Sequence, residues 1–390
     1  MSIDHHELAR FIARCNPGAP AAAEVYVERD PPLVPRLHAE ILPTESSRVL
    51  LLGQTGVGKS TELLRLEQRV AGEFEVLRPP LDTMLDLRNL TWHEILVFTA
   101  AWAGENYKYW SPLTEAIAGQ LQKAMETRHA GHGPPPPTVI QLFRNSPEQV
   151  SKYIELGRAQ YWDIAEQLLS HIADQVKRPL LLLFDGLEKM TESAAKQLFY
   201  EEGRFIEQLP CRAVITAPLA LSFQSYFGDV EGRFPYPAER LRAISCLQGE
   251  PGYAFFRALA EKRGASPWMS ESLIEKAISR GGGLPRQFLQ LLAAASSQAL
   301  TDETRVEEET FFRATERLID RWQYQLDPDD YIELEKPDHE RSTATRARLL
   351  RIGALIEYDK PDGSLRLGVN PLVGVLVERW RQQKAGANNA

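Results

Sequence analysis

Residues 53–60, Gly-Gln-Thr-Gly-Val-Gly-Lys-Ser, constrain the fold of this chain more than any other stretch. They fit the pattern G-x-x-x-x-G-K-[S/T], and they lie between an apolar run, SSRVLLL, and a segment with apolar residues three and four positions apart. Glycines allow a tight turn whose backbone N–H groups point inward, and a following helix adds its positive N-terminal end. The pattern therefore predicts a strand, a phosphate-binding loop and a helix, in that order.

The residues of this loop have distinct predicted roles. Lys59 is expected to neutralise the β- and γ-phosphates of a nucleotide, and Ser60 to ligate Mg²⁺. Mg²⁺ is the metal ion predicted to accompany the nucleotide, and the lack of an N-K-x-D signature for guanine after the core strands argues against GTP. The residues predicted to contact the nucleotide are Gly53, Gln54, Thr55, Gly56, Val57, Gly58, Lys59, Ser60 and Thr61. A glycine-rich turn with an incidental lysine is the alternative interpretation.

An acidic residue follows a second apolar run, RPLLLLFDGLEK. The run predicts a buried strand of a parallel sheet, and Asp185 would stand at its carboxyl end, where such sheets bind ligands. Asp185 is therefore predicted to hold Mg²⁺. Glu188 is a candidate to orient or activate the attacking water, and a solvated residue at a helix start is the alternative.

Short apolar strands alternate with helical patterns between residues 46 and 246, which predicts an α/β fold with a parallel sheet covered by helices on both faces. The later strands are expected in FEVLR, PLLLLFDG, CRAVITAP and ERLRAISCL. Single helices are expected over residues 147–176 and 191–209. After about residue 247 helices follow one another, until two alternating segments around Pro-Asp-Gly predict a hairpin at 354–370.

Composition narrows the class of protein further. A chain of 390 residues exceeds one ordinary core, and its net charge of −8 argues against coating nucleic acid through bulk charge. The three cysteines have no paired spacing, which favours a reduced, cytoplasmic compartment. We find no signal peptide and no apolar run long enough to span a bilayer, so no membrane partner is expected.

The two motifs GQTGVGKST and LLLLFDGLEK together resemble the Walker A and Walker B motifs of AAA+ and STAND P-loop ATPases, and the form D-G-L-E-K is similar to the STAND version. The resemblance implies an N-terminal helix and adenine-side segment (1–45), a P-loop ATPase core of the ASCE type (46–246), a helical lid (247–300) and a winged-helix domain (301–390). The chain departs from many related ATPases at Gly186, because a catalytic glutamate often follows the aspartate directly.

The resemblance also implies residues that sense the nucleotide. Thr216, near the end of AVITAP, matches a polar sensor of the γ-phosphate. Pro285 and Arg286, in GGGLPRQF, match the lid proline and a second sensor arginine, and Tyr26 and Val27 match a segment that lines adenine. A plain interhelical loop around Arg286 and a packed extended segment around Tyr26 are the alternatives.

An arginine finger is implied as well. Arg233, in EGRFPYP, resembles the arginine that reaches the γ-phosphate of a neighbouring subunit, where a guanidinium stabilises charge on the transferred phosphoryl group. A surface-loop arginine is the alternative, and Arg204, in a second G-R-F, competes for the role.

The C-terminal hairpin resembles a winged helix, a fold that in origin-recognition ATPases follows the lid. Basic residues accumulate there: Arg341, Arg346, Arg348, Arg351, Lys360, Arg366, Arg379, Arg381 and Lys384. They could contact DNA phosphates, or they could form a solvated face. Typical STAND proteins add a repeat array and an effector domain, and this sequence contains neither, so a partner protein is expected.

The function predicted is therefore an ATP-binding, Mg²⁺-dependent ATP-hydrolysing switch. It would couple ATP or ADP binding to lid movement and to assembly with itself or a partner protein, in bacterial defence or signalling by analogy. One alternative is an ATP-dependent DNA-binding or loading factor. Another is a nucleotide-dependent scaffold with negligible hydrolysis.

Overall fold

The computed structural model describes residues 4–105, 138–246, 250–359 and 365–387. They form two compact units. We call residues 34–52 and 62–240 the sheet unit, and residues 1–33, 53–61 and 241–390 the composite unit, because three separate segments build it.

The helices and strands alternate up to residue 241, and helices dominate afterwards. The helices are α1 (His5–Arg14), α2 (Val34–Ile41), α3 (Lys59–Val70), α4 (Leu81–Met84), α5 (Trp92–Gly104), α6 (Val139–Asn145), α7 (Pro147–Leu156), α8 (Arg158–Val176), α9 (Glu192–Ala195), α10 (Phe227–Glu231), α11 (Pro251–Arg263), α12 (Glu271–Gly281), α13 (Pro285–Thr301), α14 (Glu308–Gln323), α15 (Pro328–Glu335), α16 (Thr343–Ile352) and α17 (Pro371–Ala387). The strands are β1 (Arg48–Gly53), β2 (Glu75–Leu77), β3 (Leu180–Phe184), β4 (Arg212–Ala217), β5 (Glu239–Leu241), β6 (Leu355–Asp359) and β7 (Leu365–Val369).

A five-stranded sheet in the order β2-β3-β4-β1-β5 organises the first part of the chain. The pairings of β1 with β4, β2 with β3 and β3 with β4 are all parallel. Every residue of β1 and β3 is buried, as expected for strands that helices cover on both faces. Because β1 and β3 both run parallel to β4, the strand before the glycine loop and the strand before Asp185 both end at the carboxyl edge of the sheet.

The composite unit has its own apolar core. Helix α13 packs against α1, α12 and α14, and Phe256 and Phe288 meet with ring centroids 5.2 Å apart. Gly281 allows close packing there, because a Cβ atom at this position would lie 3.1 Å from Cβ of Phe288. Strands β6 and β7 form the antiparallel hairpin that the sequence predicts, although the Pro-Asp-Gly turn lies outside the described residues.

Two helix predictions are wrong. The segment 147–176 is two helices, α7 and α8, which meet at Gly157. A Cβ at Gly157 would lie 2.9 Å from Cε2 of Tyr161, so a larger residue would not fit this break. The segment 191–209 is also interrupted, because α9 passes into a π-helical turn over Lys196–Glu201 and a 3₁₀ turn over Gly203–Phe205.

The predicted fold class is confirmed: the core is a parallel-sheet α/β P-loop NTPase fold, with helices and a small hairpin after it. The predicted domain boundaries stay predictions. The three cysteines, all among the described residues, form no disulfide. Among the described helices, none has both the length and the apolar character needed to cross a membrane.

Candidate nucleotide-binding site

The glycine loop between β1 and α3 adopts a backbone that only glycine takes readily. Gly56 has φ +89° and Gly58 has φ +110°. A Cβ at Gly56 would lie 2.9 Å from Cβ of Arg286, and one at Gly53 would lie 2.7 Å from the carbonyl oxygen of Leu241. The motif glycines are therefore required both by their dihedral angles and by close neighbours in the composite unit.

The loop can accept an anion. Apart from its chain neighbours, no heavy atom of the described residues lies within 4 Å of a Cβ built at Gly58, so there is space beside the loop backbone. Helix α3 begins at Lys59, and its N-terminus carries a partial positive charge. Lys59 is buried, and its Nζ donates to the carbonyl oxygens of Gly53, at 2.6 Å, and Gln54, at 3.0 Å. These groups fit the phosphates of a nucleotide.

The N-terminal segment runs along the same loop. The backbone N–H of Ala21 donates to Oγ1 of Thr61 at 3.2 Å, and the guanidinium of Arg29 donates to the carbonyl oxygen of Val57 at 3.0 Å. Tyr26 and Val27 lie between these two contacts and are half-buried. The segment predicted to line adenine is thus bound to the loop at both ends.

The start of α13 also contacts the loop. Pro285 is the first residue of this helix, and the backbone N–H of Arg286 donates to the carbonyl oxygen of Gly56 at 3.2 Å. Proline suits this position because the first helical N–H has no partner within the helix. The structure therefore brings Arg286, the predicted second sensor, to the loop, and its sensing role stays a prediction.

In the sheet unit, Asp185 follows β3 and is half-buried. A terminal nitrogen of Arg78 lies 2.7 Å from its Oδ2. Thr216 is fully buried in β4, and its hydroxyl donates to the carbonyl oxygen of Phe184, the residue before Asp185, at 3.1 Å. The structure thus brings Thr216 and Asp185 together through the backbone of β3.

The turn after Asp185 is crowded by α4. Gly186 has φ +93°, and a Cβ at this position would lie 2.6 Å from Cβ of Asp82, which pairs with Lys189. The absence of a glutamate at position 186 has therefore a steric reason. Glu188 lies in the 3₁₀ turn Leu187–Lys189 and is half-buried.

Arg233 lies in a separate open depression of the sheet unit, with a volume of about 660 Å³. The depression is lined by Tyr200, Glu201, Glu207, Gly228, Asp229, Gly232 and Arg233. Arg233 packs over Gly203 and approaches Glu207 at 3.5 Å. Its competitor Arg204 lies over the ring of Phe205, 4.8 Å from the ring centre. Neither arginine meets another predicted site residue of the sheet unit in these contacts.

Sequence reasoning missed three arginines whose contacts support the glycine loop, Asp185 and strand β6. Arg29 and Arg78 bind Val57 and Asp185 as described, and Arg242 pairs with Glu357, its Nε lying 2.6 Å from Oε1. The only signal for Arg29 was its place in EVYVERD, and Arg78 was noticed only as the end of a strand. Arginines with far-off partners leave no local pattern in a sequence.

Within the described part of the chain, five of the nine basic C-terminal residues form ion pairs with acidic side chains, four of them with acids of the stretch 327–340. Arg348 pairs with Asp327, at 2.8 Å, and with Asp330, while Arg381 pairs with Glu335 at 2.8 Å. Other pairs join Arg341 and Arg346 to Asp338, and Arg379 to Glu316. Lys360 lies outside the described residues. Charges that are already neutralised within the unit gain less from phosphate contacts.

Comparison with known proteins gives similarity of structure only. No family model matches the chain, and no curated protein matches it.

Similar solved structures include Cdc6p from Pyrobaculum aerophilum, with 10% identity and a TM-score of 0.44 over 89% of this chain and 93% of that chain. The Walker-type ATPase PABY2304 of Pyrococcus abyssi has 14% identity and a TM-score of 0.47 over 92% and 98%. Orc1 of Aeropyrum pernix, solved in complex with DNA, has 15% identity and a TM-score of 0.42 over 89% and 91%.

Proposed function

We propose that this chain is a Mg²⁺-dependent ATPase of the AAA+/STAND type, which couples its nucleotide state to lid movement and to assembly with itself or a partner protein. The observation that supports it most is the loop after β1: two glycines at positive φ, a buried lysine and the start of α3 on eight consecutive residues. Such a loop binds phosphate through backbone N–H groups, one ammonium and a helix N-terminus.

Ser60 and Asp185 are the residues proposed to hold Mg²⁺. The described residues contain no cluster of three histidine, cysteine or acidic side chains that could bind a metal. Mg²⁺ typically uses one or two protein ligands together with water and substrate phosphates, and Ser60 and Asp185 are the oxygen-bearing residues that the two motifs supply. When bound, the ion supplies charge neutralisation at the phosphate oxygens.

The other residues of the site have separate proposed roles in binding phosphate, positioning Asp185 and orienting water. Lys59 exchanges the carbonyl oxygens of Gly53 and Gln54 for phosphate oxygens. Thr216 positions the strand end that carries Asp185, and Glu188 orients the attacking water. Arg286, whose backbone N–H donates to Gly56, would transmit the proposed lid movement to the phosphate loop.

ATP turnover and binding in single variants test this function. Lys59→Ala and Asp185→Ala should each reduce turnover at least a hundredfold, and Lys59→Ala should also weaken nucleotide binding, measured with a fluorescent ATP analogue. Lys196→Ala is the matched control, because Lys196 is exposed and its ion pair with Glu201 contributes little. A wild-type chain that neither binds nor hydrolyses ATP would refute the proposal.

A second candidate, a nucleotide-dependent scaffold with negligible hydrolysis, is favoured by Gly186. Asp82 leaves no space for a glutamate directly after Asp185, so water activation would depend on Glu188 alone. Turnover that is slow in the wild type and unchanged in Glu188→Gln would support the scaffold. A loss of turnover with intact ATP binding in Glu188→Gln would support the ATPase.

A further inference from the structure

One side chain of the phosphate loop, that of Gln54, forms hydrogen bonds with the C-terminal hairpin and the helix before it. Gln54 is 6% exposed, and its Nε2 donates to the carbonyl oxygens of Leu355, at 2.6 Å, and Leu350, at 3.2 Å. Its Oε1 accepts the backbone N–H of Glu357 at 3.1 Å. The amide thus joins the loop to the end of α16 and to β6, about 300 residues further along the chain.

Strand β6 also forms hydrogen bonds and an ion pair with residues 242–243, which follow β5, and a hydrogen bond with the turn between α12 and α13. The backbone N–H of Ala243 donates to the carbonyl oxygen of Glu357 at 3.0 Å, and Arg242 pairs with the Glu357 carboxylate. Burial raises the pKa of Tyr358, whose hydroxyl stays protonated and donates to the carbonyl oxygen of Gly282 at 2.8 Å. Hydrogen bonds therefore fix the hairpin to Gln54 of the phosphate loop and to the turn between α12 and α13.

Phosphate binding does not need the side chain at position 54, because backbone N–H groups of the loop contact the anion. The backbone of Gln54 is different, since its carbonyl oxygen accepts from Lys59 Nζ. Any shift of β6 that pulls the Gln54 side chain therefore also moves the loop backbone at position 54, including the carbonyl oxygen that Lys59 exchanges for a phosphate.

We propose that Gln54 is a positioning residue that couples nucleotide binding in the loop to the position of the β6–β7 hairpin. This inference rests on the proposed nucleotide-binding function. The hairpin, through Gln54, holds the loop in its phosphate-accepting backbone, so nucleotide binds more tightly when the hairpin is in place. Coupling free energies are reciprocal, so bound nucleotide must stabilise the hairpin by the same factor.

Gln54→Met tests the coupling, because it keeps the side-chain length and removes all three hydrogen bonds. We expect about tenfold weaker binding of a fluorescent ADP, since each hydrogen bond contributes on the order of a few-fold in affinity. Hydrogen exchange at the Glu357 amide should accelerate in the protein without nucleotide. The slowing of exchange that ADP causes in β6 and β7 of the wild type should disappear.

Gln54→Glu adds a graded comparison. The carboxylate still accepts the N–H of Glu357 but faces the carbonyl oxygens of Leu350 and Leu355, so binding should weaken more than in Gln54→Met. Gln298→Met is the matched control: Gln298 is also 6% exposed, and its amide donates to Asp302, within the segment where α13 ends. This variant should keep both the ADP affinity and the protection of the hairpin by ADP.

The outcomes separate the two proposals. If the wild type binds no nucleotide, the proposed function fails and the coupling fails with it. If the wild type binds ADP and Gln54→Met binds it equally well with unchanged hairpin protection, only the coupling is overturned. Equal losses in Gln54→Met and Gln298→Met would show a general loss of stability and would also overturn the coupling.

Discussion

The turn after Asp185 has no space for a side chain at position 186. Gly186 combines φ +93° with a Cβ position 2.6 Å from Cβ of Asp82. We predict that Gly186→Ala lowers the free energy of unfolding by about 2–4 kcal/mol, from left-handed strain and overpacking together. Urea denaturation followed by circular dichroism measures the change.

Gly228→Ala provides the control for this substitution. Gly228 lies within α10 of the same unit, and a Cβ there would meet no heavy atom of the described residues within 4 Å beyond its own helix and chain neighbours. Alanine should leave stability unchanged or raise it by about 0.5–1 kcal/mol, because it restricts the unfolded chain. A Gly186→Ala variant as stable as Gly228→Ala would contradict the crowding by Asp82.

The buried side chain of His93 should make the free energy of unfolding depend on pH. His93 packs against the rings of Trp162 and Phe205, with centroids 5.2 and 4.4 Å away. Burial, and then the charges of Arg158 and Arg204, lower its pKa from 6.5 to about 4. The unfolded chain binds a proton at His93 as the pH falls below 6.5, whereas the folded chain does not until about pH 4.

Stability should therefore be lost between pH 6.5 and 4, by up to about 3 kcal/mol from this residue. Thermal melts at pH 7.5, 6 and 5 measure the loss, and His93→Gln should reduce the pH dependence over this range. An unchanged slope in His93→Gln would mean that carboxylates, and not His93, cause the acid sensitivity.

At the scale of elements, the C-terminal hairpin and its helices bear on the choice between ATPase and DNA-binding factor. Arg348 and Arg381 already pair with acids of α15 and its N-cap. We predict that the chain does not bind duplex DNA even at a low salt concentration of about 50 mM with ATP present. An arginine must leave its carboxylate before it can contact a phosphate. Fluorescence anisotropy with labelled duplex checks this. Binding that Arg346→Glu and Arg348→Glu together abolish would contradict it.

Elements whose signal is local were predictable from the sequence. The runs RVLLLG and LLLLF are entirely buried strands, and the loop glycines have the positive φ values that the motif requires. The breaks at Gly157 and within residues 191–209 were missed, because helical periodicity continues through them. Gly157 leaves the helical conformation, with φ −134° and ψ 31°, and a π-helical turn follows α9 in the other segment.

At the scale of the whole molecule, the partners of the phosphate loop could not be predicted. The loop is contacted by Arg29 from the N-terminal segment, by Arg286 from α13 and by β6 through Gln54. These contacts involve backbone carbonyl groups, whose position depends on the complete fold and leaves no trace in residue type. The motif alone identified the loop residues predicted to bind nucleotide. It did not identify the residues elsewhere in the chain that contact the loop.

Assembly is the last property that belongs to the whole molecule, and Arg233 provides its test. Within the sheet unit Arg233 packs on Gly203 and approaches Glu207, so it contacts none of the acidic site residues of its own unit in these interactions. If it acts on the nucleotide of a neighbouring copy, Arg233→Ala should lose turnover about a hundredfold or more while binding ATP normally.

Mixing this variant with Lys59→Ala then separates action in trans from action in cis. Each variant alone should be inactive, but a mixed assembly contains subunits in which an intact phosphate loop faces an intact Arg233 of the neighbour. Equimolar mixing should restore part of the wild-type turnover, and light scattering should show a larger particle with a non-hydrolysable ATP analogue than with ADP. Mixtures that stay as inactive as their components, although the particle forms, would exclude Arg233 as a residue that completes a neighbour's site.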